Sequence, residues 1–285
     1  MKTLRTRLEE DLQLQGLSPV TQEIYLSRVR RLAEHFAKSP EQLSVEDLRQ
    51  YFLHLRIEKK YSVQSLRSAY YSIRFLYLRT LKWKPEDFNF FRLPKEFKLP
   101  VVFTKDEIKR ILSGIRISDY RLCLTMIYTC GLRLKEAITI KPYDIDGEKR
   151  LLHIKESKGN KDRCVPLAEE LIRRLRQHWK THRNPHLLFP KRYGNMTQTA
   201  KTIGKRALQR SMLIAKREVG INKPGSIHTL RHSYATHLLD SGVNIRVIQE
   251  YLGHKSLKST MIYTHLTTNS KELSLTKINE LMADL

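Results

Sequence analysis

The sequence predicts a mainly α protein in two parts: a helical first part, and an α+β second part with a small antiparallel sheet. Three observations carry that prediction. Apolar residues recur every three or four positions along most of the chain, which is the helical period. Pro85, Pro94 and Pro100 interrupt this pattern once, among aromatic and basic residues. Strand-like residues 150–156 (RLLHIKE) and 162–167 (DRCVPL) flank Ser157-Lys158-Gly159-Asn160-Lys161, a hairpin-turn composition.

The elements follow in order. Ser18-Pro19 supplies an N-cap and a first-turn proline ahead of a stripe of Ile24, Val29, Leu32 and Phe36. Ser44 and Asp47 form a capping pair before Leu48, Phe52 and Leu55. Ser62 opens a run that turns Leu66, Ile73, Leu76, Tyr77 and Leu81 inward, leaving Arg67, Arg74 and Arg79 to face out. A bundle of about four helices results. We place this helical domain at 1–84, an extended linker at 85–102 and the second domain at 103–285. That domain starts with a capping box, T-K-D-E from Thr104, before Ile108, Ile111 and Leu112. Leu122–Leu132 is a core helix, too short and too interrupted to span a bilayer. After the hairpin, Leu171–Trp179 is helical, and 197–218 is one long basic helix or a pair. Helices from Ser226 and from Asn244 end at Gly242 and Gly253. A tail helix, Ser270–Leu285, carries Leu273, Ile278, Leu281, Met282 and Leu285 on one face.

Charge narrows the function. The chain holds 53 Lys+Arg against 29 Asp+Glu, a net +24, which attracts polyanions. Residues 1–100 contribute 19 against 12 and the remainder 34 against 17, so both parts are basic. A solvated basic surface would give the same total, but nucleic acid is the commonest partner of such a chain. Three cysteines form no C-x-x-C pair and no disulfide framework. The N-terminus, MKTLRTRLEED, turns acidic where a signal peptide would become apolar. We therefore expect a cytoplasmic protein with no membrane association.

Three fragments carry chemistry: Gly131-Leu132-Arg133-Leu134-Lys135-Glu136, His228-Thr229-Leu230-Arg231-His232, and Leu252-Gly253-His254, followed by Tyr263. Lys158 lies between the first two, at the predicted hairpin tip. Two guanidinium forks suit the two non-bridging oxygens of a phosphodiester and the charge that develops on a pentavalent phosphorus. A tyrosine hydroxyl attacks phosphorus if a base removes its proton, and a histidine titrates in the right range to do so. A lysine on a mobile tip can protonate the leaving oxygen. Taken singly, each has a plainer role. Arg133 would be a helix-end charge, Lys158 a turn lysine, His228 a helix cap, and Tyr263 one of 13 tyrosines in a core or interface. His228 and His232 sit four apart like zinc ligands, but no H-E-x-x-H is present and Arg231 would repel a cation. No metal or other cofactor is expected.

Arg133, Lys158, His228-x-x-Arg231, His254 and Tyr263, in that order, resemble the catalytic set of the tyrosine recombinase (phage integrase) family. The flanking text GLRLKE and HTLRHSYATHLLDSGVNIRVIQEYLGHKSLKSTMIYTH strengthens the match. The likeness covers residues 104–266, and the first hundred residues look like the family's helical, SAM-like core-binding domain. Integron integrases and chromosome-dimer (Xer-type) recombinases look most similar. Residues 190–210 are short for the extra helix of the integron type, which leaves a mobile-element recombinase open.

The resemblance implies a C-shaped clamp on double-stranded DNA and cleavage through a 3′-phosphotyrosine on Tyr263. Arg133 and Arg231 would hold the phosphate, and Lys158 would protonate the leaving 5′ oxygen. His228 would be the base for Tyr263, and His254 would hydrogen-bond the phosphate. Glu136 would orient Arg133, while His232 and His265 would be structural. One tyrosine per strand implies a homotetramer on two duplexes, with the tail helix docking on a neighbour. ATP is not needed. A non-catalytic DNA-binding protein and a type IB topoisomerase-like enzyme are the alternatives.

Overall fold

A computed structural model describes residues 3–91, 99–155, 162–192 and 194–265. The chain divides into two units, Met1–Lys98 and Leu99–Leu285.

The first unit packs α1 (Leu4–Leu14), α2 (Pro19–Phe36), α3 (Val45–Ile57) and α4 (Val63–Phe75). A π-helical turn at Leu76–Thr80 continues α4. The serines predicted to open helices do so. Ser18 and Ser62 accept from the N–H groups of Thr21 and Ser65, and Ser44 and Asp47 cap each other reciprocally. Leu8, Leu12, Leu32, Leu48, Phe52 and Ile73 fill the core. Tyr77 is wholly buried, and its hydroxyl donates to the Pro40 carbonyl at 2.7 Å, which meets the need of a polar atom taken out of water.

The expected extended linker does not begin at residue 85. Pro85–Phe88 is a 3-10 turn, Phe88 is buried, and Phe90 and Phe91 pack against the same core. Aromatic side chains bury too much area to remain strung out in solvent.

The second unit begins with α5 (Lys105–Ser113), capped by Thr104 and Glu107 as predicted, and α6 (Ser118–Thr129). After α7 (Leu134–Thr139) comes a three-stranded antiparallel sheet in the order β1 (Ile145–Asp146), β2 (Leu151–Ile154), β3 (Arg163–Pro166). The pairing of β2 with β3 sets Leu152 opposite Val165 and Ile154 opposite Arg163. The sheet therefore matches the predicted hairpin and adds one short strand. The tip, including Lys158, lies outside the described residues, as does the segment expected to form a tail helix.

The remaining helices are α8 (Glu169–His182), α9 (Lys205–Glu218), α10 (Ile227–Asp240), α11 (Ile245–Leu252) and α12 (Lys258–Met261). The predicted helical stretch 197–218 is helical only from Lys205. Before that, polar side chains satisfy the backbone locally: Asn184 donates to the carbonyls of Met196 and Thr199, and Thr197 donates to that of His182. Among the described residues, 191–204 hold no helix.

α10 runs through the middle of this unit, burying residues on all sides, from Ile227 and Leu230 to Tyr234 and Ala235. Ser233 on it accepts from the N–H of Phe103, tying the start of the unit to its centre. Gly131, at the end of α6, has φ +60, and a Cβ there would come within 2.5 Å of the Tyr234 ring on α10. Gly131→Ala combines left-handed strain with overpacking, so we expect a loss of roughly 2 kcal/mol or more, measurable as a lower thermal midpoint.

Candidate active site

Four segments come together at α10, three through direct bonds or packing and β3 through Arg163. They are the loop Gly131–Arg133, strand β3, the turn Leu252–His254 and the 3-10 turn Ile262–His265. Arg231 stands at the junction. It is 1% exposed, and its guanidinium donates to the Gly131 carbonyl at 2.6 Å and to the Leu252 carbonyl. A charge this deep needs such bonds to persist. Burial first, then the charge of Arg133, pushes its pKa down to about 9, so it stays cationic at neutral pH.

Glu136 organises the arginines. Arg133 is the N-cap of α7; its N–H donates to the Glu136 carboxylate at 2.7 Å and its guanidinium at 2.6 Å. Arg163, reaching over from β3, grips the same carboxylate with both terminal nitrogens, at 3.1 and 2.8 Å. Its Nε donates to the Tyr251 carbonyl, which fastens the sheet to the end of α11. Burial works against the Glu136 carboxylate, but Arg163 and Arg133 more than offset it, holding the pKa at about 2. Planar forks on one carboxylate fix the direction as well as the charge of each arginine.

The histidines are kept neutral. Burial, followed by the charges of Arg231 and Arg133, pushes His254 down to about 4, and its Nδ1 lies 2.9 Å from the Thr260 hydroxyl. Burial, then His228 and Arg231, pushes His232 down to about 4. His228 is lowered by burial and by the same two arginines. It sits in the first turn of α10, where its N–H donates to the Ser226 hydroxyl. Tyr263 is 2% exposed, and burial raises its pKa against the opposing pull of Arg231.

The structure thus gathers Arg133, His228, Arg231, His254 and Tyr263 within electrostatic reach of one another. One contact differs from the expected pairing of His228 with Tyr263. The histidine at the tyrosine oxygen is His232, with Nδ1 2.9 Å from the hydroxyl. Among the described residues His228 makes no hydrogen bond to Tyr263; its ring instead meets that of His232 edge-on, with centroids 4.5 Å apart. The cause is helical geometry. Residues four apart lie one turn above each other, so only the later histidine reaches the level of the tyrosine. Arg163 is the second residue that motif reading passed over. The side chain of His265 lies outside the described residues. Among the described residues no group of three metal-binding side chains converges, and no helix is long and apolar enough to cross a membrane.

Comparisons with known proteins agree with this architecture. Residues 101–270 match the phage integrase family, and residues 4–86 match the phage integrase N-terminal SAM-like domain. A putative integrase/recombinase, y4qK of Sinorhizobium fredii, is 36% identical over 94% of this chain and 86% of its own length. The tyrosine recombinase XerA of Pyrococcus horikoshii is 33% identical over 90% of this chain and 87% of its own. A crystal structure of XerA recombinase aligns with a TM-score of 0.54 at 25% identity, covering 96% and 97% of the two chains. The Tn1549 transposon integrase in complex with transposon right end DNA aligns at 0.75 with 17% identity, over 98% and 100%, a likeness of fold. On its sequence and its mostly helical, two-unit fold, the chain belongs to the phage integrase family, the tyrosine site-specific recombinases of Xer type.

Proposed function

We propose that this protein cuts and rejoins double-stranded DNA at specific sites through a covalent 3′-phosphotyrosine on Tyr263. The observation that carries the reading is a phenol hydrogen-bonded to a neutral imidazole next to the buried, cationic Arg231. Arg133 and Arg231 form the phosphate clamp, already aimed by Glu136 and by backbone carbonyls, so little reorganisation is needed as charge builds on phosphorus. Lys158 protonates the leaving 5′ oxygen, and His254 bonds the phosphate. The covalent link conserves the phosphodiester energy, so no ATP is consumed and no metal is needed as Lewis acid. DNA bound in the fold-level relatives supports a duplex partner, with both basic units of this chain in contact with it.

The same reading takes a homotetramer to exchange two duplexes, acting in the cytoplasm. A mobile-element or Xer-like role fits better than an integron one, because the described residues of 191–204 hold no helix that could serve as an integron-specific insertion.

The test is a nicked substrate whose freed 5′ end diffuses away, which traps any covalent protein–DNA adduct. An adduct stable to denaturant, with the DNA 3′ end on the protein, is expected; its absence under conditions of tight binding would refute the proposal. Binding itself should be phosphate-dominated, falling about a thousandfold as salt rises from roughly 50 to 200 mM. A flat response in a titration at several salt concentrations would count against it.

A further inference from the structure

We infer that His232 is the base that takes the phenolic proton of Tyr263 during strand cleavage, a role that rests on the nucleophile proposed above. A base must first be within hydrogen-bond reach of the proton it removes, and His232 Nδ1 meets that condition at 2.9 Å from the tyrosine oxygen. With its proton on Nε2, the neutral ring presents a lone pair to the phenol. The edge-on ring of His228 contacts His232 and makes no hydrogen bond to the phenol among the described residues.

The surroundings couple the proton transfer to substrate. Burial first, then His228 and Arg231, disfavours an imidazolium at His232, so the unliganded site holds its proton on the tyrosine. A phosphodiester clamped by Arg133 and Arg231 brings in negative charge that offsets theirs and makes His232 more basic. Nucleophile activation then follows DNA binding.

The step balances without an added reactant. The tyrosine O–H bond breaks and its proton passes to His232 Nδ1, while the oxygen pair forms the new bond to phosphorus. The bond from phosphorus to the 5′ oxygen breaks, and that oxygen keeps the pair and takes a proton from Lys158. Rejoining reverses each transfer: the 5′-hydroxyl attacks, and His232 returns its proton to the departing phenolate.

A hydrogen bond that merely positions the ring would show the same distance, and the test separates the two. Asparagine presents an acceptor near the position of Nδ1 but cannot take a proton. His232→Asn should bind the site like the parent, yet cleave the nicked substrate about a hundredfold or more slowly. Replacing Tyr263 in that variant by a fluorinated tyrosine that ionises near neutral pH should restore at least about a tenth of the parent rate, because such a phenol needs no base. Cleavage by His232→Asn near the parent rate would overturn the inference. So would slow cleavage that the fluorinated tyrosine does not rescue, since that outcome marks lost geometry. If the parent protein itself gives no adduct, the nucleophile proposal fails instead, and the two failures are distinguishable.

Discussion

Tyr263→Phe is expected to bind its DNA site with little change in affinity and to form no covalent adduct. The ring supplies almost all of the packing at this position. It is 2% exposed in a small cluster with Tyr234, Ala235, Ile248 and Leu252, and phenylalanine fills that space equally well. What disappears is the hydroxyl and its bond to His232, a loss of roughly 1 kcal/mol in stability. The chemical effect is total, because no other atom there can serve as nucleophile in the proposed reaction. A gel shift and a denaturing gel on the same nicked substrate read both quantities. A covalent band from the phenylalanine variant would remove Tyr263 from the mechanism.

Arg231→Lys should be the next most damaging change. The guanidinium donates to the carbonyls of Gly131 and Leu252 through different nitrogens, and it must still face the phosphate. A lysine has one nitrogen, which cannot bridge both carbonyls and point donors at a phosphodiester as well. Charge is retained while the fork is lost. The cleavage rate should fall by roughly 10²–10³, the cost of losing a preorganised donor to developing charge. Arg133→Lys should act in the same direction, since Arg133 is held to Glu136 through its side chain as well as its backbone N–H. Single-turnover cleavage with saturating protein measures the effect apart from binding. Cleavage near the parent rate by Arg231→Lys would mean that the fork is not used.

Much of this was legible in the sequence because it is local. Ser18, Ser44, Ser62 and Thr104 cap the helices they precede, and the strand pattern around Ser157–Lys161 yields the paired β2 and β3. The order of Arg133, His228, Arg231, His254 and Tyr263 could be read from motifs, and the structure brings these five together.

What escaped depends on three dimensions. His232 neighbours Arg231 in sequence, and nothing in H-T-L-R-H says which histidine faces the tyrosine; that is settled by where the 262–265 turn crosses α10. Arg163 did leave a signal. It shares the buried face of β3 with Val165, and a charge on a core-facing strand position calls for a buried counter-charge. The expected helix over 197–218 starts only at Lys205, because Asn184 donates to the carbonyl of Thr199 and Thr197 donates to that of His182, a competition invisible in a linear pattern.

The bonds of Arg231 also join segments that leave the ribosome at different times. Its two carbonyl partners lie 100 residues before it and 21 after it, and the tyrosine comes later still. During synthesis, residues 131–136 emerge from the ribosome long before the segment that completes their pocket. A growing chain can therefore expose a basic, DNA-attracting surface with no means of breaking a strand. If Tyr263 is the nucleophile proposed above, competence to cut arrives only after residue 263 has emerged and folded back, so incomplete chains released by stalled ribosomes should occupy DNA without nicking it.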